Sequence, residues 1–102
     1  MRICFHLQVR PERLDDYKRL HRTVWPDVLA ELKRAGVRNY SLFLWEGGHE
    51  FGVLECDDWA QTRRVLGASP VMRRWEEFMA AFLETPVGPE GPRLLEEVFR
   101  LD

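Results

Sequence analysis

His21 is the residue of this chain whose type and position best suit acid/base chemistry. It follows Tyr17 by four residues on the apolar stripe of a predicted helix, so the two side chains lie together on the face turned toward the core. Histidine titrates closest to neutrality, which makes His21 a candidate general acid or base. The structural alternative is a core histidine satisfied by a backbone carbonyl, and the spacing is compatible with both roles.

The pairing of two predicted strands places a tyrosine and a carboxylate on the same face of the sheet, in the layer between the sheet and the helices. If the connection between these strands closes so that Trp45 faces Glu50, Tyr40 lies opposite Glu55 and both point toward the helices. Glu55 is then a candidate to orient His21 or to act as a base. Its structural alternative is a solvated strand end.

Trp75 reaches the same layer from a later helix, where the alternative is an ordinary core residue. Two tyrosines, a tryptophan, a histidine and a carboxylate between one sheet and its helices are too polar for a dry core. A small polyhydroxylated ligand suits such a set, because its hydroxyl groups can bond the phenols and the carboxylate while ring C–H groups lie on the indole. The pattern therefore predicts a site for a small ligand.

The composition limits the other functions. The chain has 102 residues, 45% hydrophobic and 31% charged, which predicts a single folded domain over residues 1–102. The net charge of −2 and the scattered basic residues indicate no nucleic-acid partner, and no apolar run approaches the roughly 20 residues of a membrane span. The sequence has no metal-spaced His/Cys cluster, glycine-rich phosphate loop or Ser/His/Asp arrangement.

The two cysteines indicate the compartment. Cys4 and Cys56 lie in strand-like segments without a Cys-x-x-Cys spacing, and residues 1–9 lack the long apolar core of a signal peptide. We therefore expect free structural thiols in a cytoplasmic protein.

Hydrophobic periodicity predicts the elements that position these residues. Alternation over 2–9 predicts a strand, and steps of three and four over 11–36 predict a helix. We expect that helix to break just past His21, because Pro26 cannot donate a backbone hydrogen bond. The remaining predictions are a hairpin of strands 37–45 and 50–56, a helix capped by Asp57 or Asp58 and ending at Gly67, a helix from Ser69-Pro70 to about Leu83, an irregular connection over 84–92 and a last strand over 93–101.

The order β-α-β-β-α-α-β predicts an α+β, ferredoxin-like fold with a four-stranded antiparallel sheet and its helices on one face. The second strand is apolar on both sides, with Tyr40, Leu42 and Leu44 on one face and Phe43 and Trp45 on the other. Helices on one side cover only one of these faces. A partner is expected to cover the other, which predicts a homodimer.

The residues around His21 also resemble those of a known family. The matching positions are Tyr17, His21, Trp25, Pro26 and Asp27, then Gly36, Asn39, Tyr40 and Ser41, then Trp75 and Met79, and finally Glu97, Val98 and Phe99. On these residues the chain resembles the L-rhamnose mutarotase family, essentially end to end and without large gaps. The most specific part is the His-x-x-x-Trp-Pro-acidic block followed by Gly-x-x-Asn-Tyr.

The resemblance implies a dimeric α+β-barrel fold and interconversion of the α and β anomers of L-rhamnose, a monosaccharide, without a metal or cofactor. It implies that His21 is the proton donor and that Tyr17, Tyr40 and Trp75 contact the sugar. A member of the family has a second tryptophan directly after the first, where this chain has Glu76. Glu76 is therefore a further expected substrate contact on a smaller stacking surface. The Trp-Pro break is expected to shape a pocket wall beside the histidine.

The residue types suit this reaction, because opening a pyranose needs one proton delivered to the ring oxygen and one removed from the anomeric hydroxyl. Either Tyr17 or Glu55 could orient the imidazole of His21. One alternative function is that of a cofactor-free monooxygenase or isomerase on the same dimeric barrel, which a mostly apolar pocket would favour. The other is a non-catalytic dimeric ligand-binding domain in which His21 is simply buried and hydrogen-bonded.

Overall fold

The computed structural model of the protein describes residues 1–88 and 90–102, so residue 89 of the predicted irregular connection lies outside the described residues. Within these described ranges the chain forms four strands and four α-helices in the predicted order. They are β1 (Arg2–Gln8), α1 (Leu14–Leu20), α2 (Pro26–Arg34), β2 (Arg38–Trp45), β3 (His49–Glu55), α3 (Trp59–Gly67), α4 (Pro70–Met79) and β4 (Arg93–Leu94).

The strands form one antiparallel sheet in the order β2-β3-β1-β4, which confirms the ferredoxin-like α+β fold. Alternate residues of β1 and β3 are buried on the helix side, as period-2 geometry requires. The core has two apolar clusters, one around Phe5 and Leu54 and the other around Val9 and Phe82. Leu7 and Trp75 pack against both clusters and join them.

The break in the first helical segment lies where the proline predicts it. α1 gives way to a turn of 3₁₀-helix over His21–Thr23, and Trp25 has the extended dihedrals φ −53° and ψ 130°. α2 then begins at Pro26, a position where the missing N–H has no helical partner in any case. The proline is therefore accommodated without the roughly 3 kcal/mol that it costs inside a helix.

The later helices begin at side-chain caps. Of the two aspartates expected to cap α3, Asp58 does so, because its carboxylate accepts from the backbone N–H of Gln61 at 3.1 Å. Ser69 caps α4 as predicted, with its hydroxyl accepting from Met72 at 3.2 Å. These bonds satisfy N–H groups that the helix itself leaves unpaired.

The predicted register of the β2–β3 hairpin is wrong by one residue. The turn consists of three residues, Glu46–Gly48, so that Trp45 pairs with His49 and Leu44 pairs with Glu50. Because side chains alternate along a strand, this shift exchanges the faces of β3. Glu50 is buried on the helix side, whereas Glu55 belongs to the opposite face.

A β-bulge lies at the far end of the same hairpin. Arg38 pairs with Glu55 and Ser41 pairs with Val53, so β2 has one residue more than β3 over this stretch. Asn39, at the bulge, has a φ of 48°, and asparagine tolerates this left-handed conformation better than most residues. The predicted pair of Tyr40 with Glu55 is therefore not formed.

The last predicted strand is much shorter than expected. Only Arg93–Leu94 pair with β1, Leu95 adds one backbone bond to Cys4 at 2.8 Å, and residues 96–102 form no regular structure. Val98, Phe99 and Leu101 are largely exposed. The strand-like pattern over 93–101 thus has a partner strand within this chain for its first residues only.

None of the helices in the described ranges 1–88 and 90–102 has the length and apolarity needed to cross a membrane.

Replacing Gly48 by alanine should destabilise the fold. Gly48 has a φ of 86°, and a Cβ there would collide with the carbonyl oxygen of Val9, whose N–H bonds to Gly48 at 2.8 Å. We expect a loss of about 2 kcal/mol or more in the free energy of unfolding, measured by urea denaturation. Gly67→Ala is the matched control, because nothing lies near its Cβ position. It should change stability by no more than about 1 kcal/mol, in the stabilising direction. Equal losses in both variants would contradict this view of the turn.

Candidate active site

His21 is held at the end of α1 by its own helix. Its Nδ1 donates to the backbone carbonyl oxygen of Tyr17 at 2.9 Å, one turn earlier. A carbonyl oxygen can only accept, so this bond places a proton on Nδ1 and makes Nε2 the nitrogen that can exchange protons. The imidazole is half-buried, so a bound ligand can reach it. The backbone thus fixes both the tautomer and the direction of the ring.

Aromatic rings surround this imidazole. The Tyr17 ring lies 4.3 Å from it between centroids, and the Trp75 ring meets it edge-on at 5.8 Å. Trp25 packs on Trp75 in a T-shaped contact at 5.0 Å and stacks on Phe78 at 5.3 Å. The Trp-Pro break therefore places Trp25 behind Trp75, and Trp75 is the ring that faces His21.

A buried carboxyl group lies next to Tyr17. Glu50 is 1% exposed, and its Oε2 has no hydrogen-bond partner among residues 1–88 and 90–102. Burial raises the pKa of Glu50 above its ordinary value, and a hydrogen bond with the Tyr17 side chain acts in the opposite direction. A carboxyl group in this position is a candidate for chemistry because its environment disfavours the charged form.

Both tyrosines of the chain interact with Glu50, and we call Tyr17, Tyr40 and Glu50 the polar cluster. Burial raises the pKa of Tyr17 above its ordinary value of about 10, and the negative charge of Glu50 and its hydrogen bond add to the shift. Burial and the Glu50 charge likewise raise the pKa of Tyr40. Tyr40 extends from the bulge toward the helix layer, where its ring lies 6.1 Å from that of Phe5, and 38% of the residue remains exposed.

A cavity of about 120 Å³ lies between the sheet and the helices. Its lining is mostly apolar and includes Tyr40, Trp75 and Glu76. Desolvation raises the pKa of Glu76, and the charges of Arg63 and Arg73 act against that rise. His21 and Tyr17 do not line this cavity, but the Trp75 ring touches both the cavity and His21.

The structure brings together most of the residues that the sequence indicates. His21, Tyr17, Tyr40, Trp75 and Glu76 all belong to the layer between the sheet and the helices. No group of three or more His, Cys, Asp or Glu side chains within 1–88 and 90–102 has the arrangement of a metal site.

Glu55 does not join this layer. It lies on the face of the sheet turned away from the helices, and its Oε2 accepts from the Asn39 amide at 3.2 Å. The expectation that Glu55 shares a face with Tyr40 is wrong, because it depended on the hairpin register. Glu50 occupies the buried position instead. The number of residues in the turn, three rather than four, is what decides which of the two carboxylates is buried.

Comparisons with known proteins find similarity over nearly the whole chain. The sequence model of the L-rhamnose mutarotase family matches residues 2–101. An L-rhamnose mutarotase from Oceanobacillus iheyensis is 33% identical over 96% of this chain and 95% of its own length. The crystal structure of an L-rhamnose mutarotase from Formosa agariphila superposes with a TM-score of 0.82 at 26% identity and covers 100% of this chain and 99% of that one. A polyketide cyclase from Streptomyces glaucescens, at a TM-score of 0.69 and 18% identity over 100% of this chain and 97% of its own, shares the fold.

The two tyrosines should resist ionisation while the protein is folded. Both phenols have a raised pKa, so at about pH 11 the native chain should show little tyrosinate absorbance, whereas free phenols would be mostly ionised. A raised folded-state pKa also means that this contribution to stability is complete below about pH 10 and is lost as the pH rises further. In urea both phenols should titrate normally. Full ionisation of the native chain near pH 10 would contradict the buried cluster.

Proposed function

The chain belongs to the L-rhamnose mutarotase family, and from that premise we propose that it is an isomerase interconverting the α and β anomers of L-rhamnose or a close 6-deoxy sugar. The observation that carries the proposal is the state of His21. Its Nδ1 is bound to the Tyr17 carbonyl, which leaves Nε2 available for proton transfer inside an aromatic enclosure.

The chemistry requires two proton transfers and one bond rotation. In the proposed reaction His21 acts as the imidazolium, with protons on both nitrogens. It delivers the Nε2 proton to the ring oxygen as the bond between that oxygen and the anomeric carbon breaks, and keeps the Nδ1 proton that bonds to the Tyr17 carbonyl. A base removes the proton of the anomeric hydroxyl at the same time, which gives the open-chain aldehyde. Rotation about the C1–C2 bond and reclosure on the other face yields the second anomer. A positioned acid or base supplies typically 10²- to 10⁴-fold, which suffices for a reaction that already proceeds in water.

The other residues of the layer are proposed to hold the sugar. Trp75 offers an indole face to ring C–H groups, and Tyr40 offers a partly exposed phenol to a hydroxyl group. The half-buried carboxyl of Glu76 can accept or donate a hydrogen bond where a member of the family has a second aromatic ring. Tyr17 contributes through its hydroxyl and by packing against His21.

A second candidate function has one observation in its favour. The cavity lining is mostly apolar, which also suits an aromatic substrate of the kind expected for a monooxygenase or cyclase on this fold. Two phenols and two carboxyl groups in the same layer favour a sugar, since each offers a partner to a hydroxyl group. The same residues argue against a purely structural role for His21.

We also propose that the protein is a homodimer joined through the sheet face that carries Phe43 and Trp45. These residues of the edge strand β2 are 59% and 67% exposed, which leaves a large apolar surface on this face of the sheet. The exposed Val98 and Phe99 of the C-terminal segment add apolar surface that a second copy can bury. The exposed face and the C-terminal segment together support a self-complementary contact.

The cysteines support the proposed cytoplasmic location. Cys56 is buried and Cys4 half-buried, and both are free thiols in the structure. Free thiols of this kind are typical of a reducing compartment.

Replacing His21 tests the proposed function. His21→Ala should slow the exchange of L-rhamnose anomers by about 10²-fold or more, because the positioned acid is lost. Saturation-transfer NMR on the anomeric protons measures this exchange directly. Arg22→Ala, which removes the exposed neighbouring side chain, is the matched control and should keep the wild-type rate. Wild-type exchange in His21→Ala together with a large loss of stability would instead identify a structural histidine.

Replacing Trp45 tests the dimer. Trp45→Arg places a charge in the centre of the proposed interface, so we expect light scattering to give the monomer mass at micromolar concentration. Leu29→Arg changes a similarly apolar exposed residue on α2 and should leave a dimer. A monomeric wild-type protein would rule out the proposed contact.

A further inference from the structure

Glu50 occupies a position where an apolar residue would be expected. In the sheet it pairs with Leu7 on one side and Leu44 on the other, and its side chain is directed into the core. One carboxyl oxygen has no hydrogen-bond partner among the described residues. A carboxyl group left this way destabilises a fold, and a hydrophobic side chain of similar size would generally be neutral or better. The fold therefore gives no reason for an acid here.

Glu50 is linked to His21 through a single residue. The Glu50 carboxyl is close enough to the Tyr17 phenol to raise its pKa. The Tyr17 ring packs on the imidazole at 4.3 Å, and the Tyr17 carbonyl accepts from Nδ1. Two groups that carry protons thus both lie next to Tyr17. Ring opening requires such an arrangement, because one group must give a proton while another accepts one.

We propose that Glu50 receives the anomeric proton of the sugar through the hydroxyl group of Tyr17 while His21 delivers a proton to the ring oxygen. This inference rests on the proposed mutarotase function. Glu50 acts through Tyr17 and is therefore a positioning and proton-accepting residue behind that phenol.

The transfer balances within one turnover. The anomeric O–H bond breaks and its proton goes to the Tyr17 oxygen, as the phenolic proton moves to the Glu50 carboxylate. The electron pair left on the anomeric oxygen forms the carbonyl bond, and the bond from the anomeric carbon to the ring oxygen breaks. The ring oxygen keeps that pair and takes the Nε2 proton of the His21 imidazolium, which leaves a neutral imidazole with its Nδ1 proton. Reclosure reverses each transfer, so both residues return to their starting states.

The proposal predicts how the rate depends on pH. Glu50 must be ionised to accept a proton, and burial raises its pKa above that of a solvated carboxyl. The titratable groups that interact with Glu50 are the phenols of Tyr17 from α1 and Tyr40 from β2. Its other neighbours across the sheet, Leu7 and Leu44, are apolar. The wild-type rate should therefore fall on the acid side as Glu50 gains a proton.

Glu50→Gln tests the proposal, because glutamine keeps the shape and removes the proton acceptor. We expect exchange of L-rhamnose anomers to slow by about 10²-fold, and the acid limb assigned to Glu50 to disappear from the pH profile. The variant should unfold at the same or a higher urea concentration at pH 7, because a buried charge is removed. Glu46→Gln in the exposed hairpin turn is the matched control and should keep both the rate and the pH profile.

Tyr17→Phe and the double variant test the path through the phenol. If the proton passes through Tyr17, Glu50→Gln combined with Tyr17→Phe should be no slower than the slower single variant. Multiplied losses would overturn the relay, and an unchanged rate and acid limb in Glu50→Gln would overturn the role of Glu50. In either case the wild-type protein still catalyses exchange, whereas an inactive wild type would overturn the proposed function itself.

Discussion

The register of the β2–β3 hairpin decides which side chains enter the layer between the sheet and the helices. It is fixed at one end by Gly47 and Gly48, both with positive φ, and at the other by the bulge at Asn39. The glycine turn places the side chain of Glu50 on the buried face of the sheet. The bulge directs the side chain of Tyr40 toward the helices. Because side chains alternate strictly along a strand, a change of one residue at either end would replace this polar set by another.

The Trp-Pro pair is the corresponding constraint on the helix side. Pro26 has no N–H and disfavours helical dihedrals at the residue before it, so Trp25 becomes extended and α1 ends at the turn that contains His21. A helix end is a favourable place for an acid/base residue, since Nδ1 of the ring reaches the Tyr17 carbonyl and Nε2 is not used by that bond. The same break turns Trp25 onto Trp75 and Phe78 and so braces the ring next to His21.

Local patterns predicted most of the fold and part of the site. Alternation, the helix break and the Ser69 cap depend on neighbouring residues, and so does the contact of Tyr17 with His21. The position of Glu50 depends instead on a count across the hairpin, and two adjacent glycines fit a turn of three or four residues equally well. The last strand differed for another reason. The alternating pattern of residues 93–101 shows that this segment can form a strand, but it does not specify how much of the segment has a partner strand to pair with.

The polar cluster lies where the two apolar clusters of the core meet, a region called the joint below. This location explains how the fold tolerates buried polar groups. Leu7 and Trp75 pack against both clusters, and Glu50 lies directly opposite Leu7 in the sheet. The apolar contacts on either side hold the sheet and helices together, so the joint need not contribute stability of its own. A carboxyl group and two phenols can therefore be kept there in environments that shift their pKa values upward. Filling the joint with apolar residues would strengthen the core and remove the groups that make this layer chemically useful.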